Sequence, residues 1–193
     1  MARNLLEYRH RYTIEEYMAL ERASDRRYEY WDGEIVCMSG GTLHHAQISR
    51  NVFRAIDRKI EGHGRQAFTG DMAVKIPGLA TYRYPDASRV CGEAQVEETN
   101  GIDVLVNPIL IVEVLSPVTQ DRDRNEKRLA YQSIPSMREY LIVSQDIPHI
   151  THYTREGAVW RRADYSTTAE TIECSAISAN LTLAEIYQGV SFD

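Results

Sequence analysis

One stretch constrains this chain more than any other: NPILIVEVLSP, Asn107 to Pro117. Its middle, Ile109-Leu110-Ile111-Val112-Glu113-Val114-Leu115, is too short for a helix and is bounded by Pro108 and Pro117, so it reads as a strand. Strand side chains alternate, which puts Ile109, Ile111, Glu113 and Leu115 on one face and Leu110, Val112 and Val114 on the other. A strand apolar on both faces is a covered, central one. Glu113 is thereby carried inward, where an ionised carboxylate costs several kcal/mol unless it is paired or bound to a metal. A structural ion pair and a functional centre would both answer that cost.

With 193 residues, 43% of them hydrophobic, the chain can bury a core as one domain, residues 1–193. The order of elements around the central strand predicts a mixed α/β (α+β) domain. Thr13-Ile14-Glu15-Glu16 is a capping box before a short helix through Met18 and Leu20. Tyr28 to Trp31 and Glu34 to Met38, joined by Asp32-Gly33, predict a hairpin. From His44 a helix carries Ile48, Val52, Ala55, Ile56 and Ile60 on one face and ends at Gly62 and Gly64. Met72 to Ile76 and Tyr82 to Ser88 are expected as strands, the second interrupted or edged by Pro85, and acidic Gly92 to Gly101 as loop. Gln120 to Ser133 reads as a helix and Tyr140 to Val143 as a strand. Ile150 to Tyr153 with Ala158 to Trp160 suggest a closing hairpin, and Leu183 to Tyr187 a final helical turn or two.

The three cysteines, Cys37, Cys91 and Cys174, offer neither zinc spacing nor a disulfide framework, so a reducing cytoplasm is expected. No apolar run approaches a membrane span, and MARNLLEYRHRY has no apolar signal core, so no membrane association is expected. A net charge of -6 argues against a constitutive, charge-driven coat on nucleic acid but leaves binding at a local basic groove open.

Other residues could carry chemistry. Tyr82, Tyr84 and Asp86 alternate together, so the carboxylate ends an otherwise aromatic strand face, although Pro-Asp by itself is turn chemistry. Lys127 has Ala130, Tyr131 and Ile134 at i+3, i+4 and i+7, which puts it on an apolar, inward stripe, while Arg122, Glu126 and Leu129 point elsewhere. A lysine there can snorkel to water. The connection from Leu115 is short, however, and folds this helix straight back over the strand that holds Glu113. Glu29 lies opposite Tyr28 and Tyr30 and could equally form a cross-strand ion pair. His45 falls on the buried stripe of its helix, where a hydrogen-bonded core histidine is the ordinary case. His44, His149 and His152 have no partner legible in the sequence. Ser116 lacks the strand-turn-helix elbow of a nucleophilic serine, which assigns it to loop or capping.

Taken in order, several of these residues resemble the bacterial Uma-two family of restriction-endonuclease-like proteins, in the PD-(D/E)XK nuclease superfamily. They are Tyr28-Glu29…Asp32-Gly33-Glu34, His45 opening a helix, Pro85-Asp86, Glu113-Val114-Leu115-Ser116-Pro117 and Lys127…Tyr131. The resemblance spans roughly Tyr12 to Tyr153. It implies a restriction-endonuclease-like core, with a mixed central sheet flanked by helices and an N-terminal hairpin. One departure matters: the superfamily's lysine two residues after the second acid is Leu115 here, and the resemblance implies that Lys127 supplies the ammonium instead. It also implies that Asp86 and Glu113, with the Val114 carbonyl, bind Mg²⁺ or Mn²⁺, and that Glu29 contacts a metal or its waters. Lys127 would position or deprotonate a metal-activated water, or stabilise charge on the phosphate.

The expected function is thus a divalent-metal-dependent endonuclease acting on DNA. Arg50, Arg54, Arg58 and Lys59 on one helix, and Arg122, Arg124 and Arg128 on another, would contact phosphates or be solvated helix faces. The alternative is a nuclease-like fold without turnover, serving binding or assembly, because a fold alone does not establish activity. A nucleophilic hydrolase using Cys37 or Ser116 has no supporting spacing. A homodimer is expected by analogy, since cutting two strands wants two sites.

Overall fold

The computed structural model describes residues 10–38, 40–60, 65–78, 81–99, 101–116 and 123–192. Two six-stranded sheets organise them. The first contains β1 (Tyr28–Trp31), β2 (Glu34–Cys37), β4 (Ala73–Lys75), β5 (Thr81–Arg83), β7 (Val96–Thr99) and β8 (Ile102–Leu105), in the order β2-β1-β5-β4-β8-β7. The second contains β3 (Arg65–Thr69), β6 (Ala87–Cys91), β9 (Leu110–Val114), β10 (Glu139–Val143), β11 (Ile150–Glu156) and β12 (Val159–Tyr165), in the order β12-β11-β10-β9-β6-β3. β9 runs parallel to β10 and antiparallel to β6, so this sheet is mixed. β13 (Thr171–Cys174) and β14 (Ala179–Thr182) pair by themselves, followed by a short helix at Leu183–Ile186.

The central strand is β9, and all five of its residues are buried. Leu110, Val112 and Val114 pack with Ile48, Val52 and Ile56 of α2 (Leu43–Asp57). Ile111 and Leu115 pack on the other face with Ala130, Tyr131 and Ile134, from and just after α3 (Arg128–Gln132). Glu113 belongs to this second face by alternation, as the pattern of the run predicts.

The N-terminal elements follow their local chemistry. Thr13 and Glu16 form the reciprocal capping box of α1 (Ile14–Ala23). Asp32 and Gly33, at φ 40° and 92°, make the mirror-image turn that matches strand twist between β1 and β2.

Elsewhere the sequence reading needs correction. The expected strand Tyr82 to Ser88 is two strands: the chain leaves the first sheet after Arg83 and enters the second at Ala87. Pro85, which has no N–H to give to a ladder, sits in that crossing. The region expected as loop before Gly101 instead carries β7, which pairs with β8; its exposed Glu97 and Glu98 hid an edge strand. β3 and the β13–β14 pair were not expected either. The helix expected from Gln120 is a π-helical turn, Asp123–Lys127, running into α3. Its first residues, with Arg122, lie outside the described residues. Among the described residues no helix is long and apolar enough to cross a membrane.

Candidate active site

The register sets the two acids against each other. Ala87 of β6 pairs with Val112 of β9, so continuing the antiparallel register by one residue brings Asp86 opposite Glu113. Asp86 is held from both sides. One oxygen accepts the Val114 backbone N–H at 2.7 Å, and the other accepts the Ser49 hydroxyl at 3.0 Å and lies 3.4 Å from His45 Nε2. Burial pushes the Asp86 carboxyl above its ordinary value, outweighing the opposing pull of His45, Val114, Ser49 and Lys127.

Glu113 is 3% exposed and Lys127 5%. The Lys127 ammonium lies 3.3 Å from Glu113 Oε1 and 3.1 Å from Glu29 Oε1, and the Tyr131 phenol donates to the same Glu113 oxygen at 2.9 Å. Hydrogen bonds to charged groups contribute roughly 1.5–3 kcal/mol each. Lys127 and Tyr131 therefore offset much of the cost of burying Glu113. Burial, and next to it the charge of Glu113, raise the Tyr131 phenol well above its ordinary value, so it stays a neutral donor.

Glu29 enters from the other sheet. Tyr30 pairs with Tyr82, so Glu29 opposes Arg83, whose guanidinium reaches its second oxygen at 2.6 Å and stacks 4.0 Å over Trp31. Burial pushes the Glu29 carboxyl up, but Lys127 and Arg83 overcome it and hold the group below its ordinary value. The ion pair expected of Glu29 is present, with Arg83, and Glu29 also touches Lys127.

Glu29, Asp86, Glu113 and Lys127 all line one cleft of about 360 Å³, with Val36, Cys37 and Met38 as its apolar wall and His45 at its edge. Thr42 caps α2 by accepting the His45 N–H, and its hydroxyl also bonds to Gln145 just beyond β10. Gly41 has no side chain because there is no room for one: a Cβ would lie 2.9 Å from His45 Nδ1.

The structure thus gathers Glu29, Asp86, Glu113, Val114 and Lys127, the five residues singled out as site candidates, around one cleft. It adds Ser49, Tyr131 and Arg83. Ser49 follows His45 by four residues and Tyr131 follows Lys127 by four, so helical spacing carried a signal for both. Arg83 had only the weaker signal of alternating against Tyr82 and Tyr84. The histidines without a legible partner have them: His152 lies 3.3 Å from Glu139 and His149 3.3 Å from Asp164, while the His44 ring meets Phe192.

The Uma2 family, whose description reads "Putative restriction endonuclease", matches residues 14–185. The chain belongs to the Uma2 family. It is 30% identical over 179 residues to "Uncharacterized protein slr1290" of Synechocystis, covering 92% of each chain. It is also 30% identical over 145 residues to "Uncharacterized protein sll1609" of the same organism, covering 75% of this chain and 81% of that one. The crystal structure of a "putative nuclease belonging to DUF820" from Anabaena variabilis has the same fold, with a TM-score of 0.74 over 93% of this chain and 99% of that one at 16% identity. The restriction-endonuclease-like core expected of a Uma2 protein is therefore the fold observed.

Among the described residues no three His, Cys, Asp or Glu side chains converge into a cage. The available donors are two carboxylates and a strand carbonyl beside an open cleft. That set suits a hard cation which keeps several of its own waters, as Mg²⁺ does, better than a closed zinc site.

Proposed function

We propose that the protein is a divalent-metal-dependent endonuclease that hydrolyses DNA phosphodiester bonds at this cleft. One observation carries the reading: two acids and an amine, from β9, the sheet crossing and the helical segment before α3, share a single opening. The family description and the nuclease name of the Anabaena structure support it.

Asp86 and Glu113, with the Val114 carbonyl, would hold Mg²⁺ or Mn²⁺. When bound, such an ion acidifies water and neutralises charge building on phosphoryl oxygens. Burial disfavours the charged form of Asp86, and a cation bound there would favour it. The protein's own groups do the rest. The Ser49 hydroxyl and the Val114 N–H fix the two Asp86 oxygens, and Tyr131 fixes Glu113. Glu29 and Glu113 keep the Lys127 ammonium in the cleft, where it donates to the attacking water or to a non-bridging phosphate oxygen. The apolar wall of Val36 and Met38 lowers the local dielectric, which strengthens those interactions.

The test is plasmid DNA with Mg²⁺ or Mn²⁺ against EDTA, comparing wild type with Asp86→Ala and Lys127→Ala. Metal-dependent cutting by the wild type alone is expected. Equal cutting by all three proteins, or none by any, rejects the assignment and leaves a non-catalytic binding module.

A further inference from the structure

A second cleft opens on the same sheet face, two strands away. Glu113 pairs with Ile142 across β10, Ile142 with Thr151 across β11, and Thr151 with Asp164 across β12. At roughly 5 Å per strand, Thr151 stands about 10 Å from Glu113. The cleft there, about 280 Å³, has Ile142 and Thr151 in its floor and Tyr153, Arg124, Arg128 and Arg162 around it.

The arginines are prearranged. Arg128 donates to the Arg124 carbonyl at 3.1 Å and to Gln132 at 3.2 Å, and its guanidinium lies 5.2 Å over the Tyr153 ring. Asp164 holds Arg162 at 2.9 Å. Among the described residues Asp164 is the one carboxylate that pairs with any of the three, so the cleft keeps a positive excess in a chain of net charge -6. A row of rings joins it to the candidate active site: Tyr153 stacks on Tyr140 at 6.3 Å, Tyr140 meets Tyr131 at 5.6 Å, and Tyr131 bonds to Glu113.

We propose that this cleft seats the phosphodiester backbone of the nucleic-acid strand a short distance from the bond to be cut. The inference rests on the nuclease reading and adds where the substrate lies. Guanidinium forks match phosphate oxygens two at a time. Backbone binding at this cleft fixes register along the strand and carries no sequence information by itself.

The experiment measures binding of a short fluorescein-labelled DNA in EDTA, across roughly 50–200 mM salt. It compares wild type, Arg124→Ala/Arg162→Ala, the same pair changed to lysine, and Arg26→Ala/Arg161→Ala, two exposed arginines that line neither cleft, as control. The alanine pair should bind more than 10-fold weaker. Its slope of log affinity against log salt should fall by about 1.8 on duplex DNA or about 1.4 on single strands, as two lost phosphate contacts require. The lysine pair should restore much of the slope, and the control should match wild type. Unchanged circular dichroism and Mn²⁺ affinity would show that fold and metal site persist. An unaltered slope in the alanine pair overturns the proposal, as does absence of any DNA binding by wild type, or equal displacement of the DNA by polyglutamate. The two failures separate cleanly. Binding that responds to the arginines without any hydrolysis refutes the nuclease and keeps the cleft, whereas metal-dependent cutting with an indifferent cleft does the reverse.

Discussion

Adjacent strands of the second sheet each bury an acid, and the two acids live differently. Glu139 of β10 is sealed: His152 lies 3.3 Å away, the Cys174 thiol donates at 2.6 Å, and the Ser175 hydroxyl and the Ala176 N–H donate to its other oxygen. Burial pushes the Glu139 carboxyl up, yet those donors win and hold it below its ordinary value. The Cys174 thiol is raised by burial first and by Glu139 second, so it is an inert donor rather than a nucleophile. Glu113 has a lysine and a phenol on one oxygen and faces a cleft. Depth of burial does not separate a clamp from a candidate catalyst. An opening to solvent and an amine beside the acid do.

That contrast can be broken most sharply by truncating each acid. Asp86→Ala and Glu113→Ala should each lose about 10³-fold or more in DNA cleavage while staying folded, measured by nicking rate beside circular dichroism. Glu139→Ala should do the opposite. It strands His152 and three donors, so denaturant titration should show a loss of about 3–5 kcal/mol, with cleavage preserved in the fraction that folds. Mg²⁺ at 100 times its dissociation constant should stabilise the wild type by about 2.7 kcal/mol and leave Asp86→Ala unmoved in thermal unfolding. Tyr131→Phe removes one donor from Glu113 and should slow cleavage about 10-fold, a factor equal to 1.4 kcal/mol. The smallest effect concerns acid. The folded pKa of Glu139 lies below its unfolded value, so its stabilisation is complete above the ordinary glutamate pKa, near 4.3, and fades as pH falls through the lower folded value. Wild type should therefore lose its stability advantage over Glu139→Gln below about pH 4, as tested by urea midpoints at stepped pH.

Much of this was legible in the chain because it is written in short-range patterns. The two-faced run at Glu113, the Asp32-Gly33 turn and the helical stripe of Lys127 each depend on neighbours within seven residues. What stayed hidden depends on distant partners. Nothing local reveals that Arg83 will meet Glu29, or that Ser49 will meet Asp86, because those pairs form only when the sheets assemble. Glu139 was hidden for the same reason, its partners lying on β11 and around the β13–β14 pair. β7 was missed because an exposed edge strand can be acidic on both faces and so lacks alternation.

The crossing at Tyr84-Pro85-Asp86 has a mechanical consequence. The lysine is gripped by one carboxylate from each sheet, while Asp86 sits on the tether between them. Any sliding of one sheet against the other would pull that grip apart, along with the core of Val74, Leu105, Ile111 and Ile142 that the two sheets share. Catalytic competence in such a molecule would be a gauge of how firmly its two halves are clasped.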